Sequence, residues 1–214
     1  MGEQETAPRG RHAPPLEVRQ DRQRARLFAA ASAVFARNGF ADATAEAIAR
    51  EAGMSKATFY EHFGNKEGCI LALFDAAIDV VVEGIAQAAR DHGDQSPQGR
   101  VGASVRAFLD VIDAFPDQAQ TLLVEIIGAG PRAMERRDRV LAEYASYVDE
   151  VNREDAARDG IVRLASPHDA FAIVGAVVEL ASRQIRTGRP TDISELEPVV
   201  ERFALGLLAG DPPA

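Results

Sequence analysis

Residues 49–66 read AREAGMSKATFYEHFGNK. A small helix residue, a turn glycine, a polar cap and a short two-faced helix follow one another in that order. This predicts a helix-turn-helix whose second helix enters the DNA major groove. Ala49 is small where the second helix must cross closely, Gly53 supplies the positive φ of the turn, and Met54 packs beneath it. Ser55 is the expected cap, its hydroxyl accepting an early backbone N–H. Phe59 and Phe63, four residues apart, share one face and anchor the helix.

The other face offers Lys56, Ala57, Thr58, Tyr60 and His62. These are groups that donate to phosphates or meet base edges, with Ala57 small enough for close approach. Lys66, together with the amides that follow Asn65, is read as a grip on a further phosphate. Glu61 is expected to point away from the groove. Each residue alone suits an ordinary helix pair with a solvated polar face; the shared spacing is what points to DNA.

Outward from this unit the chain reads as helix throughout. Residues 18–37 place Leu27, Phe28, Ala31, Val34 and Phe35 on one face, with Arg19, Arg22, Arg24, Arg26 and Arg37 elsewhere. Asn38-Gly39 is the expected stop, and Thr44 the expected cap of the helix that carries Ile48. From Lys66 to Arg90, apolar residues recur every three or four positions. Further helices are expected at about 101–115, 117–127, 131–158, 166–187 and 193–208. Proline and glycine punctuate them at Pro116, GAGP, Ser166-Pro167 and GRP. The expected fold class is all-α with about nine helices. An arm over 1–17 precedes a three-helix DNA-binding domain over 18–66, and a larger helical ligand-binding and dimerisation domain follows over 67–214.

Net charge is −9, which argues against nucleic acid only while the chain is taken whole. Residues 1–66 hold ten Lys and Arg against eight Asp and Glu, whereas residues 67–214 hold fourteen against twenty-five. A mildly basic head therefore sits on an acidic body. No apolar run approaches the ~20 residues of a membrane span, and residues 1–17 lack the apolar stretch of a secretory signal. A cytoplasmic protein without membrane contact is expected. The single Cys69 is read as a small buried hydrophobe, against the alternative of a redox sensor. No phosphate-cradling glycine loop, metal-spaced His/Cys set or nucleophile elbow is present in the sequence, and GAGP follows no strand. An enzyme, a cofactor and a metal site are not expected.

The segment from about 25 to 76 resembles the DNA-binding domain of the TetR/AcrR family of bacterial transcriptional regulators. The resemblance rests on Phe35, Gly39, Phe40, Thr44, Ile48, Ala49, Ala52, Gly53, Ser55, Thr58, Phe59, Tyr60, His62, Phe63, Lys66 and Glu67. It implies a phosphate contact from Thr44 and places Ser55, Lys56 and Thr58 at or near the groove. It also implies Tyr60 and His62 on backbone or bases, and Lys66 on a phosphate. Ala43 and Ala45 depart from the Thr and Val often found there. Arg9 and Arg11 are read as part of a loose tail, against the alternative of a minor-groove arm.

The resemblance further implies a homodimeric repressor that leaves its double-stranded operator when a small molecule enters the C-terminal helices. The alternatives are a helical protein-interaction module, or a DNA-binding regulator with no small-molecule ligand. The expected dimer faces are Phe171, Val174, Val178 and Ala181 on one helix, and Leu196, Val200, Phe203 and Leu207 on the last. The expected ligand contacts are Phe108, Ile112, Phe115, Leu122, Glu125, Ile126, Tyr144, Tyr147 and Glu179. For Glu179 the alternative is an ion pair with Arg183, four residues on.

Overall fold

The computed structural model describes residues 15–94, 96–159 and 163–209; the expected tail with Arg9 and Arg11 lies outside them. Nine α-helices and no strand are found among the described residues. Helix α1, Leu16–Asp42, begins inside the stretch expected as an arm. It is broken at Gly39, whose φ of 76° and ψ of 157° leave the helical region. Its buried stripe of Leu27, Ala30, Ala31, Val34 and Phe35 receives α2, Ala45–Glu51, and α3, Lys56–Phe63.

Helix α4, Lys66–Asp91, starts at Asn65, whose side chain accepts the Gly68 N–H at 2.7 Å. Its first turns give Cys69, Ile70 and Phe74 to the same core. Ile126, Ala129, Ala133 and Val140 complete that core from further along the chain. The head is therefore closed from below by the body, across the boundary expected at residue 66.

Helix α5, Pro97–Ala114, returns alongside α4, and α6, Pro116–Ala119, follows it. Residues 117–127, expected as one regular helix, do not form one. The backbone widens into a π turn over Gln120–Val124 and tightens into a 3₁₀ turn over Glu125–Gly128. Neighbouring elements hold this irregular backbone. Ser182 Oγ donates to the Leu123 carbonyl at 3.1 Å, and Thr121 Oγ1 bonds the carbonyls of Asp117 and Ser32. Such changes of helical pitch recur at functional sites.

Helix α7, Pro131–Asp159, and helix α8, Pro167–Thr187, pack on each other. At the start of α8, Ser166 Oγ accepts from His168 N–H while Asp169 accepts from Ser166 N–H, a reciprocal cap. A 3₁₀ turn at Ile193–Leu196 then leads into α9, Glu197–Ala209. No helix among the described residues is long and apolar enough to cross a membrane.

The faces expected to pair two copies are largely used within the monomer. Val174, Val178, Ala181, Leu196 and Val200 are buried, and Leu207 packs against the α7–α8 core. Phe171 and Phe203 alone of the expected set are exposed, at 43% and 42%. The apolar stripes of α8 and α9 are wide, and their centres serve the body's own core.

Candidate nucleic-acid interface and effector cavity

Thr44 Oγ1 accepts the Ala47 N–H at 3.1 Å and so starts α2. Ser55 Oγ accepts the Thr58 N–H at 3.1 Å and starts α3, and it shares a second bond of 2.9 Å with Thr58 Oγ1. Between the helices Gly53 adopts φ 64°, a conformation that suits glycine. Arg26 Nη2 caps the end of α2 by donating to the Ala52 carbonyl at 2.7 Å. Arg37 pairs with Glu51 at 3.1 Å, and the Arg24 guanidinium stacks over Phe28. Three of the arginines on α1 thus brace the head. The sequence placed them off the apolar face without a partner.

Phe59 is fully buried at the centre of α3, with Phe63 beside it at 5.4 Å between ring centroids. Ser55, Lys56, Ala57, Tyr60 and Glu61 are exposed, and Thr58 and His62 are half-buried. At 100° per residue, Ala57 and Glu61 both project nearly opposite Phe59. Glu61 therefore shares the outermost stripe with Ala57 and does not turn away as expected. Lys56 is ion-paired with Glu46 of α2, and its ammonium lies 5.6 Å from the Tyr60 ring centroid. The hydrogen bond to Glu46 holds Lys56 above the usual lysine range and Glu46 below the usual carboxylate range. Both side chains are half exposed, so solvent screens the pair and Lys56 can exchange Glu46 for a phosphate at little cost.

Lys66 is placed differently from its expected role. Its ammonium donates to the carbonyls of Phe40, Ala41 and Ala43 at 2.8, 2.8 and 3.1 Å, and sits 4.6 Å from the Phe40 ring centroid. An ammonium has three donors, and all three close the carbonyl end of α1. None remains for a phosphate.

Beneath the head, α4, α5, α7 and α8 enclose a cavity of about 340 Å³, within the usual range of ligand sites. Ile78, Val81, Val82, Ile85, Ala86 and Ala89 form the α4 wall. Phe108, Tyr144 and Tyr147, three of the residues expected to contact a ligand, lie in its wall. Burial pushes the Tyr144 hydroxyl up to about 12. The other expected contacts lie elsewhere. Ile112 is in the core between α5 and α9, Leu122 and Ile126 pack into the head's core, and Phe115 is 53% exposed. Glu179 is exposed and paired with Arg186 at 2.8 Å, not with Arg183. Glu125 accepts the Phe40 N–H at 2.7 Å and the Gln120 side-chain amide at 2.9 Å.

The α4 wall carried a periodic signal in the sequence, but that signal is the same for a core stripe and a cavity wall. Arg100, Asn152 and Asp155, at one end of the cavity, were missed. Asn152 and Asp155 left a trace as polar residues continuing the inward stripe of α7.

Residues 27–73 match the family model of bacterial regulatory proteins, tetR family. The chain is 29% identical over 195 residues to the HTH-type transcriptional activator FasR of Mycolicibacterium smegmatis, covering 90% of this chain and 86% of that one. The fatty acid degradation regulator FadR of Bacillus halodurans has the same fold. Its TM-score is 0.76 at 21% identity, over 88% of this chain and 95% of that one. The transcriptional regulator FadR of Bacillus subtilis, solved in complex with stearoyl-CoA, superimposes with a TM-score of 0.74. It is 18% identical, over 87% of this chain and 98% of that one. The capped helix-turn-helix and these matches lead to one conclusion: residues 27–73 form a DNA-binding domain of the tetR family of bacterial regulatory proteins, and the chain as a whole is similar to regulators of that kind.

Proposed function

We propose that this DNA-binding regulator acts as a homodimer whose grip on its operator is loosened by a long-chain acyl compound in the cavity. The observation that carries this reading is the double role of α4. Its first turns belong to the core beneath α3, and its later turns wall the cavity. Ile78 and Val140 touch both regions. An occupant that displaces α4 thereby moves the reading helix. Two half-sites on B-DNA require reading helices roughly 34–36 Å apart, so a small change in that spacing weakens both contacts. A coupling of about 1–3 kcal/mol corresponds to about 5- to 150-fold in operator affinity.

In this reading Thr44, Ser55, Thr58 and His62 meet the DNA backbone, while Lys56, Ala57, Tyr60 and Glu61 face the groove. Lys56 leaves Glu46 for a phosphate as it binds. Glu61, on the outermost stripe, accepts from a cytosine amino group. The dimer surface is the exposed stripe of Phe171, Val199 and Phe203, where Gly175 and Gly206 present no side chain. Helices α8 and α9 of two copies then form a four-helix contact. Apolar walls support an acyl ligand, and the FadR neighbour solved with stearoyl-CoA supports it independently. Release from the operator raises transcription if the bound protein represses and lowers it if the bound protein activates.

Selection from random duplex DNA, followed by gel shift of the enriched sequence, tests the DNA part. Affinity should fall by about 10³ to 10⁵ between 50 and 200 mM salt if roughly six to ten phosphates are neutralised. Failure to enrich any sequence would reject the reading.

A further inference from the structure

We propose that Arg100 and Asp155 form the head-group site of the cavity, and that its preferred occupant is a long alkyl chain ending in an anionic group. This rests on the acyl-ligand reading above. The polar residues of the cavity wall are unevenly placed. Arg90, Arg100, Asn152 and Asp155 lie at the end away from the head, where α4 runs out and α5 begins. The opposite end, at Ile78 and Val140, is apolar and packs on the head's core. An Asp75–Arg136 ion pair of 2.6 Å sets α4 and α7 in parallel register just above that end. At 1.5 Å per residue, Ile78 and Arg90 are then ~18 Å apart. At roughly 1.2 Å per bond of an extended chain, that length accepts about 15 bonds. An amphipathic ligand must enter with its tail towards Ile78 and its head at Arg100.

The charge arrangement at the far end selects the head group. The Asp155 side chain is 9% exposed, and its two oxygens are taken by Arg100 of α5 and Arg158 of α7. Asn152 is committed to the Leu164 N–H at 2.8 Å. The Arg100 guanidinium is a rigid fork suited to a carboxylate or phosphate. An incoming anion takes Arg100 from Asp155, and Asp155 keeps Arg158, so every charge in the exchange retains an opposite one. A neutral ester or alcohol has no charge to exchange and must settle beside an intact pair. Because Arg100 and Asp155 stand on different helices, the exchange also unfastens α5 from α7 at the cavity's end.

A free fatty acid carries its anion at the end of the alkyl chain, whereas an acyl-CoA carries its phosphates beyond a neutral thioester and pantetheine arm. Displacement of a fluorescent fatty-acid probe from the full-length protein by tetradecanoate, tetradecanoyl-CoA and methyl tetradecanoate separates the sources. At least one anion should act at roughly tenfold lower concentration than the methyl ester, the ratio expected between a charge-assisted and a neutral hydrogen bond. Which anion acts identifies the source. Arg100→Gln should abolish the preference, and Asp155→Asn, which weakens the internal competitor, should enlarge it; thermal melts of both establish that they fold. Equal displacement by ester and anions, or an unchanged preference in Arg100→Gln, would overturn the proposal and leave the acyl reading standing. No displacement by any of the three would overturn the acyl reading itself.

Discussion

Glu125 accepts the backbone N–H of Phe40 at 2.7 Å, joining two residues 85 positions apart in the chain. In an unbroken helix that N–H would bond to the carbonyl four residues earlier. The break at Gly39 releases it, and the 3₁₀ turn at Glu125–Gly128 presents the carboxylate to receive it. The bond ties the carbonyl end of α1, on which the helix-turn-helix leans, to the body. Glu125→Ala removes a charge-assisted acceptor and leaves a partly buried N–H unmatched. It should cost about 1.5–3 kcal/mol in urea unfolding, with Glu125→Gln milder because an amide oxygen still accepts. A loss under about 0.5 kcal/mol would place this bond with ordinary surface contacts.

The two lysines at either end of the reading unit should behave oppositely. Lys56→Ala removes an exposed cation from α3 and should lower the salt slope of operator binding by about 1, with thermal stability nearly unchanged. Lys66→Met strips three carbonyls of their donor and should lower stability by about 1–3 kcal/mol. If Lys66→Met melts like the wild type, the clamp assignment fails.

Phe59→Ala should cost about 3–5 kcal/mol of stability, because the ring is fully buried beneath α3. Tyr60→Ala, one residue away but 42% exposed, should leave unfolding almost unaltered and weaken operator binding. The comparison is made by chemical denaturation and fluorescence anisotropy on the same preparations. Similar stability losses in both would mean that α3 presents a different face.

The body's exposed stripe predicts the oligomeric state. Phe171→Asp combined with Phe203→Asp should convert a dimer into a monomer in sedimentation, with the helical circular dichroism retained. A double variant that sediments as the wild type would move the interface elsewhere.

Alkaline pH should destabilise the protein through buried Cys69 and half-buried Tyr144. Burial pushes the Cys69 thiol from 9.0 up to about 12, and the Tyr144 hydroxyl from 10.0 up to about 12. The folded state holds these protons where the unfolded state loses them. The stability they support is complete below pH 9 and is lost as pH rises from about 9 to 12. Native Cys69 should resist thiol reagents at pH 8 and react on unfolding; rapid labelling of the folded protein would contradict its burial.

What the sequence disclosed follows from the range of each interaction. The turn at Gly53 and the caps Thr44, Ser55 and Asn65 are closed by partners within three to five residues, so their residue types carry the information. Lys66 was legible as a cation near a helix start, but its acceptors lie 23 to 26 residues back. Glu125 looked like a carboxylate stranded in an apolar run because its partner lies in another element. The cavity was hidden for a related reason. Leu122 and Ile126 fill the head's core while Val81 and Val82 face the cavity, and helical periodicity is the same for both. Among Phe171, Val174 and Val178, the stripe identified an apolar face of α8 but not its exposed edge.

The most direct test of the account is the operator dissociation constant, measured by anisotropy with and without saturating tetradecanoyl-CoA at one fixed salt concentration. The shared α4 predicts that the filled cavity weakens binding by about 5- to 150-fold. An operator affinity unchanged by a ligand shown to occupy the cavity would contradict it, because equal binding to both conformations shifts nothing.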